Sequence, residues 1–398
     1  MSDNSGTPFF NISGYMSGLY AAFDVFPSTK GSATHISHFA SSLFEFTNGG
    51  VLCALAGNYL PKEQSKDNIS IKRLSLKNVN YLQRAEAFSR FVSKQIELTE
   101  DELNICHFRD IWGGMPILKP NRNYKTVFEV NGLTSVELPY RYPHLTKSFI
   151  QKLRKRELFC LQQADKIVTP SQTTADFLQS LGTPSIKIEV IRNGAVIPEK
   201  VPKPENLPEK YIIYFGALQT WQGVDVLLKA FSGLKDFDDL HLVICNAGSK
   251  RIAKPYKKLA AKLEVDEKVI WFDQLEQKTL WAMVQHALVS VAPLKEGNRN
   301  IEQGCCPLKI LESMACGTAI IASELPVCTE LIEDNTHGKL VPPERPAMLS
   351  RAIRFLVEYP DLAEKMGKQG QQQIETFFTW QQKKEALKSL YSRLNSLI

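Results

Sequence analysis

The residues best suited to chemistry lie in the stretch QGCCPLKILESMACGTAIIAS, 303–323, where Lys309 and Glu312 interrupt an apolar helix that runs into an apolar strand. Pro307 suits the first helical position, where its missing N–H costs nothing, and Gly317 suits the turn that ends the helix, so 304–317 is framed on both sides. The preceding apolar strand, LVSVAPL, ends at Pro293 and feeds the polar loop KEGNRNIEQGCC, which brings the chain to the helix N-terminus at a strand's carboxyl end. Unpaired backbone N–H groups and the positive end of the helix dipole meet there, an arrangement that suits an anion. Lys309 in the first turn opposes the dipole if it serves only the helix, but makes sense beside an anion. Glu312 is spaced i, i+3 from it, among Leu308, Leu311, Met314 and Ala315. A carboxylate at the edge of an apolar face can accept hydrogen bonds from vicinal hydroxyls such as those of a ribose. The same spacing fits a solvated Lys–Glu pair worth about a few tenths of a kcal/mol, and spacing alone leaves both readings open.

Other positions carry weaker signals. NICHFRDIWGG places His107, Arg109 and Asp110 at the carboxyl end of an apolar strand. Arg109 suits an anionic donor or acceptor, or equally a surface arrangement with Asp110 over Trp112; His107 reads as a hydrogen-bonded core residue. Asn131 and Glu137, in NGLTSVELPYRYP, flank a turn-rich loop suited to sugar or acceptor contact. Ser28, Thr29 and Lys30 precede Gly31; a hydroxyl there caps a helix, and Lys30 adds charge. The Gly31 turn is not G-x-G-x-x-G and GKL near 338 is no P-loop, so NAD binding and ATP hydrolysis gain no support. LTKSFIQKLRKRELF holds five basic residues between Lys147 and Arg156, beside Leu145, Phe149 and Leu153. A solvated face explains them, and so does docking on anionic lipid near a lipid-linked acceptor.

The elements that must position these groups follow from the pattern of the whole chain. With 398 residues and 43% hydrophobic side chains, it exceeds one core and suggests two domains. Val- and Ile-rich runs alternate with longer helical patterns, the form of parallel βαβ units with helices on both faces. Such strands read at GLYAAFDVF, GVLCALAG, ELNICHFRD, KTVFEVNGL and ADKIVTPS, then again at YIIYFGAL, HLVICNAGS, EKVIWFD, ALVSVAPL and TAIIAS. Between the two sets, IPEKVPKPENLPEK at 197–210 carries four prolines and reads as a linker. Two doubly wound, Rossmann-like α/β domains in tandem are expected, with ligands at the carboxyl ends of their strands. The last helix, TWQQKKEALKSLYSRLNSLI, aligns Ala386, Leu387, Leu390, Tyr391 and Leu394 and needs an apolar partner.

A formal charge of +6 and a pI near 8.7 favour acidic small molecules or an anionic surface and fall short of a nucleic-acid-binding signature. The eight cysteines show no C-x-x-C pair or zinc spacing. No basic start followed by an apolar segment, and no apolar run near ~18 residues, points to export or membrane spanning, so a reducing cytoplasm is expected.

PLKILESMACGTAIIASELPVCTELIED resembles the donor-binding motif of retaining glycosyltransferases of family 4, two-domain enzymes of the GT-B fold. The likeness continues in VFPSTKGSATHISHFASSL, in ADKIVTPSQTTADFLQSLG with IEVIRNGAVIP, in YIIYFGALQTWQGVDVLLKAF and in the closing FFTWQQKKEALKSLYSRL, in the family's order. The resemblance implies a first domain over 1–196, the linker 197–210, a nucleotide-sugar-binding domain over 211–380 and a helix 381–398 that crosses back to the first domain. It implies that Glu312 holds the ribose and that Lys309, with the backbone around Ile310 and Leu311, meets the phosphates. Gly31 lets the backbone approach the diphosphate from the other side.

Departures from the family are equally specific. In the loop GALQTWQG that begins at Gly216, the family's arginine and lysine are replaced by Ala217 and Gln222. Gly304 stands where the first of two glutamates is usual, which leaves Asn300, Gln303 or backbone N–H groups to recognise the sugar, and Asn131 replaces a histidine. Either the chain is a pseudoenzyme, or Lys309 and Arg299 have taken over the lost cations. Relocation is favoured because Lys309 stands where a phosphate would sit.

The resulting expectation is a retaining glycosyltransferase that moves a hexose from a nucleotide-diphosphate sugar to a glycan, lipid-linked or small-molecule acceptor. Its site residues are Lys309, Glu312, Asn131 and Arg109, with Gly31, Gly216, Gln222, Arg299, Gln303, Gly304, Ile310 and Leu311 around the donor. No metal or other cofactor and no nucleic acid is expected; peripheral contact with the inner face of an anionic membrane stays open beside the solvated-face reading. A non-catalytic sugar-nucleotide-binding or scaffold protein, and a sugar epimerase, remain as alternatives.

Overall fold

Strands that are apolar on both faces must be covered on both, and the computed structural model shows how the chain does this. It describes residues 17–28, 31–77, 79–248 and 250–396; Thr29 and Lys30, named above as first-loop candidates, lie outside them. The first sheet comprises β1 (Ser17–Val25), β2 (Gly50–Leu55), β3 (Glu63–Lys66), β4 (Ile69–Leu74), β5 (Leu103–Phe108), β6 (Lys125–Glu129), β7 (Lys166–Thr169) and β8 (Ile188–Val190). Its order is β3-β4-β2-β1-β5-β6-β7-β8, parallel except for the β3–β4 hairpin. The second sheet comprises β9 (Lys210–Gly216), β10 (Leu240–Asn246), β11 (Val269–Asp273), β12 (Val289–Ala292), β13 (Ile320–Ser323) and β14 (Gly338–Val341) in the order β11-β10-β9-β12-β13-β14, with parallel pairing throughout.

Each order reverses once, between β1 and β5 in the first sheet and between β9 and β12 in the second. At such a switch point the connections leave in opposite directions and open a crevice at the strands' carboxyl ends. The turn before Gly31 follows β1, and Arg109 follows β5; the Gly216 loop follows β9, and the loop to Lys309 follows β12. Topology therefore places the candidate residues of each domain at its own crevice.

The hairpin β3–β4, the short β8 and β14 escaped the sequence reading. Every residue of β3 is exposed, so it lacks the apolar alternation that marks a strand. Irregular chain runs from the first domain to Lys210, where β9 begins.

The helix Trp380–Asn395 opens with a capping box, Thr379 accepting from Gln382 N. It buries Trp380, Leu387, Leu390, Tyr391 and Leu394 against the first domain, packing on the helix Gly31–Phe46, where Ser42 Oγ donates to Lys384 O at 3.0 Å. Beside this crossing, Ala195 N donates to Phe378 O at 2.7 Å, and Ala195 and Thr379 form a parallel bridge.

Candidate functional site

On the second domain the site is built around Lys309. The helix runs Leu308–Ala315, shorter than 304–317, and Pro307 is its N-cap, one position earlier than expected. The loop before it is not extended: Arg299–Gln303 forms a π-helical turn that consumes the chain up to Gly304. Lys309 Nζ donates to Gln222 Oε1 at 2.5 Å and stands 4.1 Å from the centre of the Tyr214 ring. A Cβ added to Gly216 would lie 3.5 Å from Nζ, in ordinary contact, so it is the φ of +122° that calls for glycine there. Among the described residues no carboxylate pairs with it. Burial pushes the Lys309 pKa down to about 7, with neighbouring groups, Glu312 among them, working the other way.

Glu312 does not turn to Lys309. Its Oε1 accepts from Gln277 Nε2 at 3.4 Å, and burial raises its pKa to about 7 against the opposing pull of Gln277 and Lys309. The solvated Lys–Glu pair left open by the sequence is thus not what forms.

On the first domain a buried carboxylate organises the crevice floor. Glu129, at the end of β6, is 1% exposed. Its Oε2 accepts from Tyr20 OH at 2.5 Å and lies 3.2 Å from His107 Nε2. Its Oε1 lies 2.6 Å from Arg109 Nε and 3.2 Å from His35 Nδ1, and accepts from Asn131 Nδ2. Burial alone would raise the carboxyl pKa, but Arg109 and the two histidines outweigh it and hold it well below the usual range. Burial also pushes the His35 pKa down to about 3, against the pull of Glu129, so that imidazole is neutral. His107 Nδ1 meets Tyr391 OH at 2.7 Å, which brings the returning helix into the cluster. Arg109 NH1 donates to Ser32 O at 3.2 Å, tying the cluster to the start of the Gly31 helix.

Two of the predicted residues, Arg109 and Asn131, therefore meet on one carboxylate. The Arg109 charge is matched by Glu129, so the guanidinium offers hydrogen bonds rather than free positive charge. Asp110 is not its surface partner: it caps the helix Ile111–Ile117 through Trp112 N and Gly113 N and accepts from Phe23 N. Gly31 faces the opposite domain, where a Cβ would come 2.7 Å from Leu308 Cδ1.

The loop before Lys309 stitches the domains together, which corrects several donor assignments. Arg299 Nε donates to Glu137 Oε1 at 3.1 Å while its guanidinium covers the Trp221 ring at 5.4 Å, so this cation is committed to the other domain. Gln303 is fully buried, accepting from Leu133 N at 2.7 Å and donating to Glu137 at 3.3 Å, so both ends of its amide are engaged by the first domain. Asn300 Nδ2 donates to Lys295 O at 2.8 Å, which fixes the turn itself. Gly304, with φ +80°, presses on the helix Gln172–Ser180, and a Cβ there would lie 2.7 Å from Thr174 N. The glycine permits this close crossing and is not open to the donor. Ile310 and Leu311 are core residues, and the Ile310 N–H is spent on Pro307 O at 3.1 Å, so the leading N–H groups of the helix belong to Leu308 and Lys309.

Further residues were missed. Glu330 spans the domains, accepting from Gln172 N and Thr173 N, both at 2.9 Å, and from Thr173 Oγ1 at 2.7 Å, with Arg192 NH2 at 3.0 Å. The carboxylate thus occupies the N-terminus of a first-domain helix. Glu129 was missed as well, although an acid inside the apolar run KTVFEV is itself a signal, since an ionised side chain is fully buried only with partners.

Comparison with known proteins agrees with this architecture. Residues 30–197 match the family described as Glycosyltransferase Family 4, and residues 197–373 match Glycosyl transferases group 1. An uncharacterized glycosyltransferase of Methanocaldococcus jannaschii is 23% identical over 278 residues, 68% of each chain. The sucrose-phosphate synthase of Thermosynechococcus elongatus superposes with a TM-score of 0.80 at 17% identity, over 96% of this chain and 100% of that one. HepE of Anabaena, solved in complex with UDP-glucose, superposes with a TM-score of 0.73 at 12% identity, over 95% and 99%.

Proposed function

Because the chain belongs to the family 4 glycosyltransferases, enzymes of the GT-B fold, we propose that it transfers a hexose from a nucleotide-diphosphate sugar, with retention of configuration, to a glycan, lipid-linked or small-molecule acceptor. The observation that carries the reading is the state of Lys309: a half-buried ammonium beside an amide oxygen and an aromatic ring, with no carboxylate partner among the described residues. A charge so placed is costly unless a counter-charge arrives. A diphosphate supplies it, and the leading N–H groups of the Leu308–Ala315 helix add the favourable end of a dipole. Binding of UDP-glucose by the structurally similar HepE supports a nucleotide-sugar as the donor.

On this reading Lys309 stabilises the charge that develops on the departing diphosphate, the step in which a preorganised cation contributes most. It does so from the position of the family cation that Gln222 replaces, because the Gln222 amide oxygen holds the ammonium there. Glu312 accepts from the ribose hydroxyls. Gly31 lies against Leu308 and so lets backbone of the first domain reach the same phosphates. Arg109 and Asn131, oriented by Glu129, present hydrogen-bonding groups to the sugar or acceptor, and this fixed geometry keeps the reactants in line. Isothermal titration with UDP, GDP and their glucose and mannose conjugates, followed by mass spectrometry of turnover, tests the proposal. Absence of binding across that set would sink it.

A further inference from the structure

The net charge of the molecule is concentrated on one helix. The segment Lys250–Lys262, KRIAKPYKKLAAK, carries Lys250, Arg251, Lys254, Lys257, Lys258 and Lys262 and no acid. The chain as a whole holds 48 Lys and Arg against 42 Asp and Glu, so these six cations equal its entire excess and the remainder is balanced. All six are exposed, and among the described residues none is ion-paired with a carboxylate. At 100° per residue they fall within one arc of about 140°, opposite Ala253 and Ala260, which pack into the core with Tyr256 and Leu259. A solvated helix surface ordinarily mixes signs, because like charges at i, i+4 repel; Lys250, Lys254, Lys258 and Lys262 form an unbroken row of that spacing.

We propose that this face docks the protein on an anionic lipid bilayer. A row of cations about 20 Å long on one helix matches a field of negative headgroups, each Lys or Arg near such a surface adding to the attraction. Single-stranded nucleic acid fits less well, since no exposed aromatic interleaves the cations to stack a base. The basic helix Lys147–Gln163 of the first domain is less one-sided: it contains Glu157, with Arg154 NH1 3.7 Å from it. Position favours the second-domain helix too. It follows β10, whose last residue Asn246 is in register with Gly216, so the docking face begins at the edge of the sheet that bears the donor site. The inference shares the lipid-linked acceptor reading above, but its test does not depend on it.

The full chain is sedimented with phosphatidylcholine vesicles with and without phosphatidylglycerol, at low and high salt. Binding is expected only with phosphatidylglycerol and only at low salt. Replacing Lys250, Lys254, Lys257 and Lys258 together by Gln should lower the partition coefficient by up to about a thousandfold while leaving the melting temperature and UDP affinity unchanged. Equal binding to both vesicle types, no binding to either, or an unaltered quadruple variant overturns the proposal. So does loss of binding on replacing Lys147, Lys152, Lys155 and Arg156 instead, or tight binding of poly(dT) without vesicle binding. If UDP affinity fails in the unaltered chain while vesicle binding stands, the donor reading falls and this one survives.

Discussion

The Lys309 ammonium stands 2.5 Å from the Gln222 amide oxygen, whereas Glu312, three residues on in the same helix, turns to Gln277. The two ionisable groups that the sequence set side by side are held apart, and each is half-buried without a full counter-charge. Lys309→Met retains the stem and removes the charge. It should reduce affinity for whichever nucleoside diphosphate the protein binds by at least about tenfold, the order expected for one lost charge-assisted contact. Calorimetric titration checks this, and an unchanged dissociation constant would remove the basis of the donor site.

The same helix predicts a pH profile. Lys309 has a folded-state pKa of about 7 against an ordinary 10.5, so between those values the unfolded chain binds more protons and stability rises with pH. Glu312 has a folded-state pKa of about 7 against 4.5, so between those values the folded chain binds more protons and stability falls as pH rises. Together they give a shallow minimum near pH 7. Thermal melts of Lys309→Met should lose the rise above pH 7, and those of Glu312→Gln the fall below it. A bound diphosphate favours the ammonium, so nucleotide affinity should decline above pH 7 in the unaltered protein and not in Lys309→Met.

Glu312→Gln should weaken nucleotide binding without loss of thermal stability. A neutral amide accepts ribose hydroxyls less strongly than a carboxylate, yet costs less to desolvate in the free protein. Equal affinity for the nucleoside diphosphate and for inorganic pyrophosphate in the unaltered protein would argue that no residue reads the ribose.

Removing the Glu129 carboxylate leaves Arg109 charged and unpaired. Glu129→Gln should cost about 3–5 kcal/mol of stability, read by urea denaturation, and Arg109→Met in the same chain should recover part of it. Because the folded-state pKa of Glu129 is depressed, its contribution is full above the ordinary carboxylate range and is lost as pH falls from there through the depressed folded value. A cost within experimental error in Glu129→Gln would show that the cluster is dispensable.

Arg299 and Glu137 are only part-buried, so their pairing is modest. A double-mutant cycle with Arg299→Ala and Glu137→Ala should give a coupling of about 0.5–1 kcal/mol in folding stability, falling in high salt. Additive effects would mean that the bridge across the crevice carries no energy.

What the sequence disclosed and what it withheld divide along physical lines. Alternating apolar periods are local, so the paired α/β architecture and the helix bearing Lys309 were legible before any coordinates. The resemblance carried by PLKILESMACGT pointed to the enzyme class, which the family matches show. Partner choice is not local. Gln303 looked like a sugar contact because nothing nearby in the chain shows that Leu133 N lies against it from another domain. Glu129 draws its partners from positions 20, 35, 107, 109 and 131, a set that exists only once β1, β5 and β6 are adjacent. Gly304 read as a lost glutamate, whereas it is the point where one domain's loop passes over another's helix.

The bridge between Ala195 and Thr379 sets how the molecule can move. The outgoing and returning chains cross between the lobes side by side, joined by the Ala195 N to Phe378 O hydrogen bond. Two crossings joined at one locus hold the lobes together there, so any separation is smallest at that point and grows with distance from it. Opening must then swing Arg299 and Gln303 away from Glu137 and Leu133 as a door leaves its jamb, admitting the donor at the side farthest from that point.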